Sequence, residues 1–457
     1  MYGMSTADMP APRLSVSPRL GFNWDLAGDR KYILRGGTGF YTGRLPFVWI
    51  VSTVGNSNCL QNQYINSNEE EQIKFFTTPN EIIANNSNLL LTVDLPAPQS
   101  TTIMDKNLKM PETWKSSLAF DAELPGGIKG TVEGIYNHDM TSVAVTKLGI
   151  IEDGFIQLPG EPDKRMKWKS EGIKNSLNKD VTPYLITNTD NNGYYYSVTG
   201  QLSKRFNCGL DLMAAYTYAE GKNVTDAIGD QVTSAYNTNA FGVNGSNVHE
   251  LGYSSYVTPN RVLFNVGWNW ATGQRTNETI GMYYEGYNHC YIGGYSYTRY
   301  SYTMTSNVNG DGGSNSLVYI PTEAELATMP FVSEKNKADY NDFIKADKYL
   351  SSHRGQYAER GGAIAPWRHT INAKYERTYK FKGGESVSFG IDVKNIANLI
   401  WRGWGNMQRL SSSDIIKLTG NGSDDNPYTY QFTNPTWNEY ASTYSTWSAA
   451  LNLRFNF

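Results

Sequence analysis

Five histidines and three cysteines are the side chains best suited to metal or redox chemistry in this chain. His138, His249, His289, His353 and His369 form no i, i+4 pair and no clustered ligand spacing, so no metal site is expected. Cys59, Cys208 and Cys290 lack metal-ligand or redox spacing and are too few to staple 457 residues. Two acidic, glycine-rich stretches, Asn307 to Asn315 (NVNGDGGSN) and Asn421 to Asn426 (NGSDDN), superficially suggest calcium loops. Neither has alternating acidic ligands followed by a distal Glu, and both read as solvated turns. Glu69-Glu70-Glu71 reads as a solvated loop. No G-x-S-x-G, Walker A, H-E-x-x-H or dinucleotide fingerprint occurs, and the sequons at Asn85, Asn223, Asn244, Asn277 and Asn421 follow from composition. The expectation is a chain that is not an enzyme and needs no cofactor.

Recognition is a better prospect than catalysis. Trp401, Trp404, Tyr428, Tyr430 and Trp437 have amphipathic rings able to stack on sugars or peptides, with structural or interface-anchoring roles as the alternative. No ligand residue stands out among them. Arg19, Arg35, Glu133, Asp392, Lys394 and Arg454 fall on polar faces and either line a substrate path or pair with neighbouring groups.

The elements that position these residues alternate with period two. Trp447, Ala449, Leu451, Leu453, Phe455 and Phe457 share one face, against Ser448, Asn452, Arg454 and Asn456 on the other. The pattern recurs at Val262, Phe264, Val266, Trp268 and Trp270, and at Trp367, Ile371, Ala373 and Tyr375. Shorter runs are Val387 to Val393 and Leu210 to Tyr216. Such faces suit hydrocarbon on one side and water on the other.

Connection lengths also alternate. Short glycine-bearing turns fall at Leu26 to Lys31, Pro125 to Ile128, Phe206 to Gly209, Thr272 to Thr276 and Lys382 to Glu385. Between them run long polar stretches at Thr42 to Glu112, Lys147 to Asn192, Lys222 to Pro259, Tyr300 to Pro366 and Arg402 to Ser442. Short turns on one rim and long loops on the other predict an all-β, antiparallel up-and-down transmembrane β-barrel with long extracellular loops. Five hairpins and a last strand make about eleven strands, the first near Leu14 to Asp25. An odd count leaves two open edges, so the expectation is the C-terminal part of a larger barrel, with residues 1 to 13 as the tail of an earlier outer loop. Within the loops, Thr322 and Glu325 predict a capping box, and Asn336 to Ser351 a helix.

Composition narrows the classes further. Only 18% of residues are charged while 13% are aromatic, with 43 Gly and 32 Tyr, which is unusual for a soluble enzyme. A net charge of -3 argues against nucleic acid as a partner. No apolar run reaches the roughly 18 residues of a membrane helix. Met1 to Arg13 have no basic stretch followed by an apolar one, so no signal peptide is legible. A carbohydrate-degrading β-sandwich would need apolar inward faces and a carboxylate pair, and the polar faces contradict it.

Several stretches carry a resemblance. They are Ser17 to Asp25 (SPRLGFNWD), Ile33 to Trp49 (ILRGGTGFYTGRLPFVW), Pro111 to Gly127 (PETWKSSLAFDAELPGG), Val318 to Pro321 (VYIP), Arg360 to Trp367 (RGGAIAPW) and Phe389 to Asn398 (FGIDVKNIAN). Together they resemble the C-terminal barrel portion of TonB-dependent outer-membrane receptors, specifically the Oar-like group. The resemblance implies a 22-stranded barrel with a plug in its lumen, of which residues 1–457 supply half. The plug, the N-terminal regulatory domain and the TonB box are absent from this sequence. It also implies residence in the bacterial outer membrane, contact with its lipid, an unidentified ligand, and dealings with the TonB complex only through the missing N-terminal region. Leu451, Leu453, Phe455 and Phe457 resemble the terminal signal read by barrel-assembly machinery, an interfacial aromatic girdle being the other reading. A stand-alone barrel acting as porin or adhesin, closed by a twelfth strand within Asn426 to Thr433, is the alternative.

Overall fold

A computed structural model describes residues 3–55, 74–86, 100–174, 181–226, 231–237, 241–305, 307–313, 315–443 and 445–457. Cys59 and Glu69-Glu70-Glu71 lie outside the described residues.

Period-two alternation resolves into eleven strands, each antiparallel to its neighbours in a continuous meander. They are β1 (Arg19–Asp25), β2 (Tyr32–Thr42), β3 (Glu112–Leu124), β4 (Ile128–Lys147), β5 (Tyr194–Arg205), β6 (Leu210–Asn223), β7 (Asn260–Ala271), β8 (Thr276–Asn288), β9 (Trp367–Lys380), β10 (Ser386–Lys394) and β11 (Ser448–Asn456). The order agrees with the hairpin-and-loop reading of the sequence. β1 begins at Arg19 rather than near Leu14, just after Pro18, which has no N–H to give a ladder.

Register carries the two faces across the wall. Phe22, Gly36, Leu118, Gly134, Val198, Tyr218 and Asn260 are partners in one row from β1 to β7, and Asn288 pairs with Trp367 between β8 and β9. Along this face large apolar side chains stand in the open, with Val132 58% and Leu451 71% exposed. A contiguous apolar surface of this kind is stable only against lipid. The opposite face presents Arg35, Glu133, Thr199, Arg261, Lys374 and Asp392. Interior and exterior residues alternate along each strand as a barrel wall requires.

Two turns show how the short rim is made. Between β3 and β4, Gly126 and Gly127 both have positive φ (78° and 71°), a backbone that side chains with a Cβ resist. Between β5 and β6, a Cβ on Gly209 would lie 1.9 Å from the carbonyl oxygen of Asn269, so only glycine lets β7 pass this close.

The hydrophobic core lies mainly outside the wall, which reaches it through Val143 and Val145 at the end of β4. One buried cluster joins Leu158, Cys290, Tyr302, Ile320, Tyr340, Leu350, Ile416 and Tyr430, all from the long loops, and a second joins Leu45, Trp49, Met104, Ile186 and Tyr236. The loops therefore pack into a folded layer over the wall. The expected capping box is present: Thr322 Oγ1 accepts from the Glu325 N–H and the Glu325 carboxylate accepts from the Thr322 N–H, opening the helix Glu323–Thr328. The expected helix at Asn336 to Ser351 is two helices, Glu334–Ala346 and Lys348–Ser352. Asp347 ends the first and caps the second, accepting from the Leu350 N–H at 2.8 Å. Within Asn426 to Thr433 the strand Thr429–Phe432 pairs with Asp414–Thr419 inside this layer and adds nothing to the wall.

Candidate functional site

Several charges on the wall's polar face are paired across neighbouring strands. The Arg35 Nε donates to Asp121 at 2.8 Å and Nη1 reaches Glu133 at 3.4 Å, while Thr131 Oγ1 donates to Asp121 at 2.6 Å. Arg261 meets Glu285 at 2.6 Å, and Asp392 accepts from Asn452 across the β10–β11 ladder. Arg19 lies over the Tyr41 ring at 4.2 Å. Lys394 and Arg454 lie opposite Ser448 and Ser388 on this face. All six charges expected to face inward are on the polar face, and Arg35 and Glu133 pair with one another.

Other sequence candidates take structural places. Tyr430 is buried in the main loop core and its hydroxyl donates to the Pro159 carbonyl; Tyr428 packs on the same core. Trp437 meets Tyr300 edge-on at 5.7 Å, while Trp401 and Trp404 sit 6.1 Å apart with Trp401 exposed. The stretch from Asn307 is not a solvated turn: Asn309 and Asp311 are buried. The Asp311 carboxylate accepts from the Ser246 and Gly313 N–H groups, so it staples one loop to another. The Asn421 to Asn426 stretch is an exposed turn closed by backbone bonds from Asn421 and Gly422 to Asn426. The five histidines stay dispersed. His249 is held by Thr146 and the Val145 carbonyl, and burial with the nearby Arg368 pushes His289 down to about 4. Among the described residues Cys208 and Cys290 are unpaired, and burial pushes the Cys290 thiol up to about 12. Among the described residues, no His, Cys, Asp and Glu gather into a metal-holding group.

Two adjoining cavities in the loop layer, of about 390 and 650 Å³, share Tyr253, Arg299 and Tyr300 as a common wall. Both fall in the size range of small-molecule pockets, roughly 300 to 1,000 Å³. The Tyr253 ring stacks against two cations, Lys222 Nζ at 4.1 Å and the Arg299 guanidinium at 4.4 Å. Lys222 also pairs with Glu359 at 3.0 Å. Arg360 is buried and donates to the carbonyls of Asn223 and Val224, tying its loop to the end of β6. Glycines make this approach possible. A Cβ on Gly252 would lie 2.4 Å from Arg360, and Gly361 has φ 66° with the Tyr253 carbonyl 2.3 Å from where its Cβ would be. Burial pushes Arg360 down to about 10 and Arg299 down from the usual arginine value, in both cases against nearby carboxylates that hold the proton on. Sequence reasoning did not find this cluster. Arg360-Gly361-Gly362 was a visible signal, whereas nothing around Arg299 marks it.

An antiparallel meander with a lipid-facing belt, a charged inner face and a folded layer of long loops defines the wall of an outer-membrane β-barrel. The chain belongs to the outer membrane beta barrel domain family, whose model matches residues 3–422, and it resides in the outer membrane. Among solved structures it is similar to the outer membrane transporter YddB from Escherichia coli, with 9% identity and a TM-score of 0.42 over 97% of this chain and 41% of that one. It is also similar to a mutant of the ferric enterobactin receptor PfeA from Pseudomonas aeruginosa, with 9% identity and a TM-score of 0.36 over 86% of this chain and 35% of that one. The chain thus spans less than half the length of either. No curated protein matches it.

Proposed function

We propose that this chain is the C-terminal wall and ligand-capturing loop layer of a TonB-dependent receptor of the Oar-like group, working in energised uptake. The observation that carries the reading is the pair of sheet edges. Among the described residues β1 and β11 each carry a ladder on one side, every residue of β11 is exposed, and so is all of β1 but Asp25. An unpaired backbone group in hydrocarbon costs several kcal/mol, so the wall needs further strands at both edges. Eleven strands are half of a 22-stranded, plugged barrel. In such a receptor, ligand held by the loops and plug is released inward when the TonB complex deforms the plug. Leu451, Leu453, Phe455 and Phe457, exposed at the end of β11, are the segment that barrel-assembly machinery would read.

Two measurements test this. The gene upstream of Met1 is expected to continue in frame through further alternating strands and a plug; a stop codon with a ribosome-binding site immediately upstream refutes the proposal. The full gene product is expected to be electrically quiet in planar bilayers, because the plug fills its lumen. A steady open conductance would instead favour a porin.

A further inference from the structure

The smaller loop cavity contains a buried cation whose donors are not all used. Arg299 is 4% exposed; its Nη1 reaches the Gly361 carbonyl at 3.4 Å, its guanidinium lies over the Tyr253 ring, and its Nε has no hydrogen-bond partner among the described residues. The neighbouring carboxylates are engaged elsewhere. Asp226 accepts from Asn223 Nδ2 and from the Ser255 N–H and Oγ, each at 2.7 Å. Glu359 is paired with Lys222, and Glu220 accepts from the hydroxyls of Tyr194 and Tyr218. Glu250, near Arg360, accepts from the Val243 N–H and Asn244 Nδ2. Arg299 therefore makes no ion pair among the described residues, although a buried guanidinium is stable only with full hydrogen bonding or an anion.

The rest of the cavity has a polar side, with Asp226, Ser255, Thr303 and Asn315, and an apolar side of rings. Phe241, Tyr295 and Tyr297 line it with Ile292, and Tyr295 is 69% exposed beside the opening. A planar fork of donors matches a carboxylate, while rings and an aliphatic side chain match an apolar body. We propose that this cavity binds small organic acids with an apolar or aromatic body, Arg299 receiving the carboxylate and Phe241, Tyr295 and Tyr297 the remainder. The inference rests on the uptake reading and names the class of molecule that the loops would capture.

The test uses the full gene product folded in detergent, with N-acetyl-phenylalanine and its C-terminal amide as probes in titration calorimetry. Losing a charge-assisted, forked contact should make the amide bind about tenfold or more weakly than the acid. Arg299→Gln should abolish that preference, and Arg299→Lys, which keeps the charge without the fork, should retain part of it. Heat-modifiable gel migration reports whether each variant is folded. Should the Arg299 variants misfold, Tyr295→Ala, at an exposed ring outside the core, should weaken both probes about threefold with folding intact. Equal affinity for acid and amide, no binding of either, a preference that survives in folded Arg299→Gln, or unchanged binding in Tyr295→Ala would each overturn the proposal. The conductance measurement judges uptake separately: a quiet bilayer without acid-selective binding removes this inference alone, and a steady pore with acid-selective binding removes the receptor reading alone.

Discussion

Removing the Glu161 carboxylate should loosen the loop layer while leaving the wall intact. Glu161 and Arg165 form a fully buried pair with two bonds of 2.7 Å, and the same guanidinium donates to the Leu317 carbonyl and lies 4.9 Å from the Tyr357 ring. Tyr357 in turn donates to Glu161 at 3.2 Å, so the pair joins the Lys147 to Asn192 connection to the Tyr300 to Pro366 connection. Glu161→Gln keeps the shape and one acceptor but leaves the buried cation without its counter-charge. Breaking a buried pair from one side costs about 3 to 5 kcal/mol. Since the amide oxygen still accepts, the lower end applies, and about 3 kcal/mol is on the order of a hundredfold in the local opening equilibrium. Hydrogen exchange with mass spectrometry should show that loss of protection over residues 150–170 and 315–360, with β7 to β9 unchanged. The double substitution Glu161→Leu with Arg165→Met, which removes both charges, should recover most of it. If Glu161→Gln alters protection in these segments less than about threefold, the pair is not what holds the two loops together, and the reasoning fails.

Three further outcomes are expected. Leu451→Arg, on the lipid face of β11, should lower stability by roughly 2 to 4 kcal/mol in urea unfolding, while Asn452→Arg on the polar face, beside Asp392, should have little effect. Because His289 is held neutral well below its unfolded value of 6.5, stability is full above that value and falls as the pH drops toward about 4. The loss is at most about 3 kcal/mol, and urea midpoints at pH 7.5, 5 and 4 should flatten in His289→Gln. Thr322→Ala removes the cap of Glu323–Thr328, costs about 1 kcal/mol, and should raise exchange in that helix roughly fivefold.

The wall was legible because its signal is local and repeated. Tight turns such as Pro125 to Ile128 and the parity of Leu451 against Asn452 follow from neighbouring residues, and every strand repeats the same test. Capping at Thr322 was legible for the same reason. The helix break at Asp347 was harder, because its aspartate serves both helices while the apolar spacing of Tyr340, Phe343, Ile344 and Tyr349 runs on without interruption. Burial of Asp311 was not legible at all. Its stretch has the composition of a solvated turn, and only Ser246, far away in sequence, reveals its use. The cavity behaves likewise, since Arg299, Tyr253 and Gly361 meet through chain folding that no period encodes.

Because the Tyr430 hydroxyl bonds to Pro159, 271 positions earlier, and Asn336 to Phe432, 96 positions later, the loop layer cannot close by growing outward from any one hairpin. Most of the ribbons between these residues must already be in register before such contacts form. A slip by one residue anywhere between β4 and β11 would carry distant partners out of reach, so the cover acts as a proofreader of the assembled wall, and its closure should be the last event in maturation.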